Sequence, residues 1–256
     1  MNMDERIRRI NELYHKSQDV GLTDAEKEEQ KRLRLEYVAS VRNSLKSQLD
    51  NISIKEKDGS ITDLGIKHGK KQIRLELLDK RASLNETDRR KMDEAILNAL
   101  TDTDEYRKST LVLTYASYNN ETDTYNLIRR CLDDGKRVAC PVCGFRNGEP
   151  VLDFYYIEGP DDLKSGYRGI PEPDADDKKR VAGDELFNAL MIMPAVGYDR
   201  SGNRLGYGKG FYDRFLEDNN VSFTIVIAYS CQECREIPSE KHDRKPDMII
   251  NENGVL

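Results

Sequence analysis

The chain has 256 residues, 34% of them charged and 37% hydrophobic, with a formal net charge of −6. That is apolar material for one sizeable core and a smaller attachment, and no stretch approaches the roughly 18–20 uninterrupted apolar residues of a membrane span. The composition excludes a membrane-spanning protein, a low-complexity chain and a protein built to coat nucleic acid. The mixed-charge start Met1-Asn2-Met3-Asp4-Glu5-Arg6 is no secretory signal, and five cysteines are an odd number for a disulfide scaffold. A cytoplasmic protein is the expectation.

In chain order, the first elements are two helices. Ile7, Ile10, Leu13 and Tyr14 share one face, and Gly21 ends the helix. Thr23-Asp24-Ala25-Glu26 is a capping box that opens the second helix, whose stripe Leu33, Tyr37, Val41, Leu45 and Leu49 should face the first. Acidic and basic residues balance up to His68, so the remainder carries the whole negative charge. Lys55-Glu56-Lys57-Asp58-Gly59-Ser60 is a polar turn, and the boundary between two domains, 1–66 and 67–256, is expected near it.

From Lys70 onward helix and strand alternate. A helix is predicted over Lys70–Arg81, and a second from the capping box Ser83-Leu84-Asn85-Glu86 to Leu100. Strands follow at Thr110–Tyr115, Arg137–Val142, Phe154–Ile157, Ala189–Met193, Phe223–Tyr229 and Met248–Ile250, with a helix near Thr124–Leu132. The pattern predicts an α/β fold: a mostly parallel sheet with helices on both faces, a Rossmann-like three-layer arrangement, preceded by an α-helical hairpin. Ligands of such sheets sit off the carboxyl ends of the strands.

The densest chemistry lies between Met193 and Asp213. Gly206, Gly208 and Gly210 alternate just before a helical pattern at Phe211–Leu216. Glycines there let backbone approach a ligand, and amides at a helix start attract anions. Arg204 and Lys209 add positive charge, which suits a polyphosphate, and Asp213 can hold a bridging cation. The Walker pattern fails at Asn203 and Gly210, and the dinucleotide pattern fails at Phe211.

Arg204-Leu-Gly-Tyr-Gly-Lys-Gly-Phe-Tyr-Asp213, preceded by Met193-Pro194 and Gly202, resembles the signature of the 5-formyltetrahydrofolate cyclo-ligase (5,10-methenyltetrahydrofolate synthetase) family. Four further segments fall in that family's order: Lys70-Lys71-Gln72-Ile73-Arg74 with Arg81 beyond it, Glu121-Thr122-Asp123-Thr124, Gly169-Ile170-Pro171-Glu172-Pro173, and His242-Asp243-Arg244-Lys245-Pro246-Asp247. The resemblance covers about residues 68–256.

The resemblance implies a ligase that uses ATP and Mg2+ to convert 5-formyltetrahydrofolate to 5,10-methenyltetrahydrofolate. The formyl oxygen is phosphorylated, a neighbouring folate nitrogen closes the ring, and ADP and phosphate are released. It further implies Arg204 and Lys209 as catalytic residues. ATP would be held by Lys70, Lys71, Arg74, Arg204, Leu205, Gly206, Tyr207, Gly208, Lys209, Gly210, Phe211 and Tyr212. The folate would meet Arg74, Tyr118, Glu121, Asp123, Tyr207 and Phe211, with Asp213 and Asp243 on magnesium. Asp123 is also well placed to be a helix N-cap, and Tyr207 stands where other members often carry a basic residue. Two rival readings reuse the phosphate cradle: another ATP-dependent kinase or ligase, or a nucleotide-binding assembly protein.

Two Cys-x-x-Cys pairs, Cys140/Cys143 and Cys231/Cys234, follow predicted strands and could supply zinc ligands, although their separation exceeds that of a zinc ribbon. Residues 1–65 resemble the small bacterial YnzC-like helical hairpins, through Ile7-Arg-Arg-Ile-Asn-Glu-Leu, Leu22-Thr-Asp-Ala-Glu-Lys and Leu33-Arg-Leu-Glu-Tyr-Val. This would make the chain a fusion, with self-association or a protein partner as the hairpin's expected role.

Overall fold

The computed structural model describes residues 2–49, 52–55 and 61–256, which form two compact units, Met1–His68 and Gly69–Leu256. In the first, α1 (Met3–Asp19) opens with a capping box between Asn2 and Glu5 and ends before Gly21, whose φ is +83°. In α2 (Asp24–Leu49) the Thr23 amide donates to Glu26 at 2.9 Å and the Glu26 amide to the Thr23 hydroxyl at 3.3 Å, completing the predicted box. Leu13 and Leu33 are buried between the helices, and Arg9 forks onto Glu29 with two 2.9 Å bonds.

The apolar stripe is only partly used. Tyr37 and Val41 are half-buried, whereas Tyr14 and Leu45 are exposed. The reason is length: Arg6, near the start of α1, already pairs with Glu36, so α2 runs on beyond the end of its partner. The Leu49 side chain and residues 56–60, where a polar turn is expected, lie outside what the structure describes. An antiparallel pair, β1 (Ser53–Lys55) and β2 (Ile61–Asp63), flanks those residues; β1 is exposed and shows no apolar alternation that would reveal a strand.

Next, α3 (Leu64–Ala82) starts earlier than Lys70 because the Asp63 carboxylate accepts the Ile66 amide at 3.1 Å and caps it. The chain then forms α4 (Glu86–Thr101), α5 (Asp104–Lys108), β3 (Leu111–Leu113), α6 (Tyr125–Asp133), β4 (Arg137–Arg146) and β5 (Glu149–Ile157). The short β6 (Lys164–Ser165) and β7 (Pro171–Glu172) lead to β8 (Ala189–Met193), β9 (Gly197–Asp199), β10 (Arg204–Leu205) and α7 (Phe211–Asp218). Last come β11 (Phe223–Ile227), β12 (Glu233–Cys234), β13 (Met248–Asn251) and β14 (Gly254–Val255). Among the described residues no helix is long and apolar enough to cross a membrane.

The main sheet has the order β14-β13-β11-β8-β3-β4-β5. Every neighbouring pair from β13 to β4 is parallel, and β5 and β14 close the edges antiparallel. Period-two alternation sorts the core into two layers. Val112, Leu190, Ile192 and Ile225 pack under α4, α5 and α6 through Ile96, Leu100, Tyr106, Leu127 and Ile128. Leu111, Leu113, Met191 and Met193 face the other way, against Phe215 of α7, Leu186 and Tyr198. Helices thus cover both faces, though the second face is shared with a small sheet of order β10-β9-β12. The outer edge of β5 is met by its own chain: Tyr155 bridges Arg180, and the Val181 amide donates to the Phe154 carbonyl at 2.9 Å.

Among the described residues neither cysteine pair belongs to a cluster of three or more potential metal ligands. Cys140 and Cys143 lie within β4 rather than after it, and a spacing of three in a strand sends them to opposite faces, one into each core layer. Burial pushes the Cys143 thiol up to about 12 and that of Cys140 higher, which opposes the thiolate a zinc ion needs. All five cysteines are free.

One buried carboxylate shapes the connection that leads to the glycines. Asp199, at the end of β9, accepts the amides of Ser201 (2.9 Å), Asn203 (3.0 Å) and Ile237 (2.8 Å) and the Asn203 side chain (2.8 Å). Burial alone would raise its pKa, but these hydrogen bonds outweigh burial and hold it below the usual carboxylate range. A depressed folded pKa contributes stability that is present above the unfolded value of about 4 and is lost as pH falls through the folded one. Asp199→Asn should therefore destabilise the protein by about 1–3 kcal/mol at pH 7. The gap from the parent should shrink below about pH 4, as read by urea unfolding across pH.

Candidate active site

The sheet order locates a crevice before any side chain is considered. From β3 the chain goes to β4 on one side, and from β8 to β11 on the other, so the connections diverge between the neighbours β3 and β8. At such a switch point the loops leaving the carboxyl ends part and leave a cleft. The segment after β3 carries Tyr115 to Thr124, and the segment after β8 carries Pro194 to Gly210. Both sequence-predicted site segments therefore meet at one place.

Against this crevice lies one face of α3. Lys70, Arg74, Leu77 and Arg81, at helical spacings of four, three and four, point the same way, and Lys70, Leu77 and Arg81 are buried. Leu77 fits because its partner is a glycine: a Cβ on Gly197 would meet Leu77 Cδ1 at 2.1 Å. Arg74 Nε donates to the Gly206 carbonyl at 2.7 Å, and its guanidinium carbon lies 3.1 Å from where a Cβ on Gly208 would sit. Gly208 and Gly210 have φ of +86° and +71°, which turn the chain into the start of α7. Burial lowers the Arg74 pKa, opposed by the nearby Asp243 and Glu240.

The remaining cations differ in how they are committed. Arg204 is buried and turned inward, donating to the Pro194 carbonyl at 3.2 Å and to Asp213 at 2.9 Å, with Nε buried and unpartnered among the described residues. Its charge anchors Asp213, which also accepts the Arg244 amide at 3.2 Å. Lys209 is exposed and has no ion-pair partner among the described residues, and Lys71 is exposed off the packed face of α3. Leu205 is core, contributing backbone only.

Across the crevice, Tyr207 reaches back over Glu121. Its hydroxyl donates to Glu121 Oε1 and accepts from Arg81 at 2.9 Å, while the Tyr118 amide donates to Glu121 Oε2 at 2.9 Å. Burial raises the Glu121 pKa against these bonds and the Arg81 charge. Behind it, Tyr229 donates to Asp93 at 2.7 Å, and Asp93 also accepts the Asp123 amide at 3.0 Å. Asp123 itself accepts the Tyr125 amide at 2.8 Å in an Asx turn, but it is not the N-cap expected of it: Thr124 holds that position and makes no side-chain cap bond. Phe211 joins Phe145 and Tyr167 in a cluster with ring centroids 5.6–6.1 Å apart, and the Tyr118 hydroxyl lies against Gly169. Burial holds the Tyr212 phenol well above its ordinary pKa, and Arg204 sits over that ring.

The acidic residues do not group as expected. Glu240, His242 and Asp243 offer ligand atoms within 4.8 Å of one another, and Asp213 is not among them because Arg204 holds it. Carboxylate oxygens are the hard donors that magnesium takes, and the pair already holds a cation: Lys70 Nζ lies 2.8 Å from Glu240 and 2.6 Å from Asp243. The donor set thus fits a divalent ion. Equally, the left-handed glycines with Arg74 and Lys209 beside them fit a polyphosphate.

Sequence reading left Glu240, Asp93 and Tyr229 unassigned and gave Arg81 no role. Glu240 sits three residues before Asp243 and was within reach of a motif search. Asp93 and Tyr229 meet across a sequence separation of 136, and no local pattern announces that.

Residues 66–252 match the 5-formyltetrahydrofolate cyclo-ligase family, and residues 5–67 match a family described as bacterial protein of unknown function (DUF896). The chain is 32% identical over 177 residues to the 5-formyltetrahydrofolate cyclo-ligase of Haemophilus influenzae, covering 68% of this chain and 92% of that one. It is 51% identical over 75 residues to the UPF0291 protein of Lachnospira eligens, covering 29% of this chain and 89% of that one. Among solved structures, the 5,10-methenyltetrahydrofolate synthetase of Aquifex aeolicus superposes with a TM-score of 0.61 at 30% identity, covering 73% of this chain and 91% of that one. Crevice, glycine cradle and sequence therefore agree, and the chain belongs to the 5-formyltetrahydrofolate cyclo-ligase family.

Proposed function

We propose that the protein converts 5-formyltetrahydrofolate to 5,10-methenyltetrahydrofolate at the expense of ATP. The observation that carries this reading is the convergence, at one switch-point crevice, of a glycine cradle with free positive charge on one wall and a partly desolvated carboxylate on the other. The cradle suits a phosphate donor. The carboxylate suits the exocyclic amine and ring N–H of a pterin, which are donors only.

Phosphoryl transfer of this kind asks for positioning and charge stabilisation rather than a covalent nucleophile. When bound, ATP supplies the phosphoryl group that turns the formyl oxygen into a leaving group. Lys209 provides charge at the transferring phosphoryl, since it is the exposed cation of the cradle. Arg74, fixed on the Gly206 carbonyl, orients the loop amides and flanks the phosphates. Arg204 acts from behind by holding Asp213 and the Pro194 carbonyl. Magnesium, where it binds, would be held by Asp243 with Glu240, which requires Lys70 to leave these carboxylates and frees its ammonium for phosphate. Glu121 orients the pterin, and Tyr118, Tyr207 and Phe211 line its approach.

Three outcomes are expected. Lys209→Ala should lower turnover roughly 100-fold or more, because removing one charge from the transition state costs about 3 kcal/mol; growth of methenyltetrahydrofolate absorbance measures it. Asp243→Asn should raise the magnesium needed for half-maximal rate on the order of tenfold, and Asp213→Asn less, in a magnesium titration. Because none of the residues invoked lies before Gly69, a chain started at Asp63, which keeps the cap of α3, should retain turnover within about threefold of full length.

A further inference from the structure

Arg81 is 4% exposed, and among the described residues no carboxylate lies within salt-bridge reach of it. A buried guanidinium without a counter-ion is costly unless its donors are met. Its recorded side-chain bond goes to the Tyr207 hydroxyl at 2.9 Å, with the guanidinium 6.0 Å from the centre of that ring. Arginine only donates, so the hydroxyl must accept from it and send its own proton onward. The onward acceptor is Glu121 Oε1. The three groups therefore form a chain with one direction, in which a buried positive charge polarises a phenol against a carboxylate. Arg81 comes from α3, Tyr207 from the glycine loop and Glu121 from the loop after β3, so the chain ties together three walls of the crevice.

We propose that Arg81, acting through the Tyr207 hydroxyl, is a positioning residue that keeps Glu121 ionised and oriented for the pterin. The inference rests on the reading of Glu121 as the pterin-binding carboxylate. It also accounts for a tyrosine at a loop position where the charge is delivered from the neighbouring helix. The groups facing Glu121 are Arg81, Tyr207, the Tyr118 amide, the phenols of Tyr115 and Tyr212, and Tyr229, whose hydroxyl lies 3.4 Å from the Glu121 carbonyl. Of these side chains, Arg81 alone carries a positive charge. Burial raises the Glu121 pKa, and the Tyr207 bond, the Tyr118 amide and Arg81 pull it back. Loss of either positioning group must raise it further and move the acidic limb of folate use to higher pH.

The test is kcat/KM for 5-formyltetrahydrofolate against pH in the full-length enzyme and in Tyr207→Phe, Arg81→Met, the double variant and Glu121→Gln. Tyr207→Phe and Arg81→Met should each raise KM for the folate roughly tenfold, with the KM for ATP changed far less. Each should shift the acidic limb upward by about half a pH unit or more. The double variant should be no worse than the worse single one, because both losses break the same chain. If Arg81→Met loses its thermal unfolding transition, Arg81→Lys serves instead, and its retained charge should restore part of the limb shift. An acidic limb in Tyr207→Phe that coincides with the parent, or additive losses in the double variant, would overturn the proposal while Glu121→Gln still raises the folate KM. An unchanged folate KM in Glu121→Gln would overturn the underlying reading of Glu121, and the proposal with it.

Discussion

A side chain at Gly197 would collide with Leu77, and the glycine there lets α3 lie flat on the β9–β10 hairpin. From that contact the spacing of an α-helix does the rest. Arg74, one turn earlier, lands on the Gly206 carbonyl; Arg81, one turn later, lands on Tyr207; and Lys70 reaches Glu240 and Asp243. Four side chains on one helical face are thus registered against one strand and two loops by one steric constraint. A shift of the helix by a single residue would turn this face away from all of them.

Once the helix is docked, charge has to be accounted for group by group. Lys70, Arg81 and Arg204 are all nearly inaccessible, and each is met differently: by two carboxylates, by a phenol, and by a carboxylate with a carbonyl. Arg204 depends on a single carboxylate, so losing Asp213 would leave it an uncompensated buried charge, the kind of change that costs several kcal/mol. Lys209 stands apart because it is exposed and has no ion-pair partner among the described residues. An exposed cation at the rim and buried, partnered cations beneath it set the order in which a ligand meets positive charge in this crevice.

The layers of the fold were legible because they depend on local patterns. The apolar runs at β3, β8 and β11, the capping box before α2 and the glycines before α7 each carry their own signal over a few residues. The site segments were legible where residues cluster in sequence, as from Arg204 to Asp213, from Lys70 to Arg74 and from Glu121 to Thr124. What the sequence left hidden is pairing at a distance. Asp213 and Asp243 read alike as candidate metal ligands, yet Arg204 takes one and Lys70 the other. Lys71 and Lys70 are neighbours in sequence but lie on different helical faces, and only one reaches the site. The hairpin stripe misled for a related reason, since its periodicity continues past the first residues of α1 and Leu45 is left exposed.

A parallel sheet built by crossovers has to stop somewhere, and its last strand offers a row of unsatisfied amides and carbonyls to any chain that drifts past. At one end β14 is two residues long and offers little. At the other, β5 is nine residues long, and the bridge to Arg180 with the Val181 bond occupies its middle. The Arg180 guanidinium closes onto Asp153, placing a charged pair where a second copy would have to align. The segment that guards this edge follows it in the chain by more than a dozen residues. During synthesis β5 therefore emerges before its guard, and the interval between them is when self-pairing of nascent chains would be most damaging.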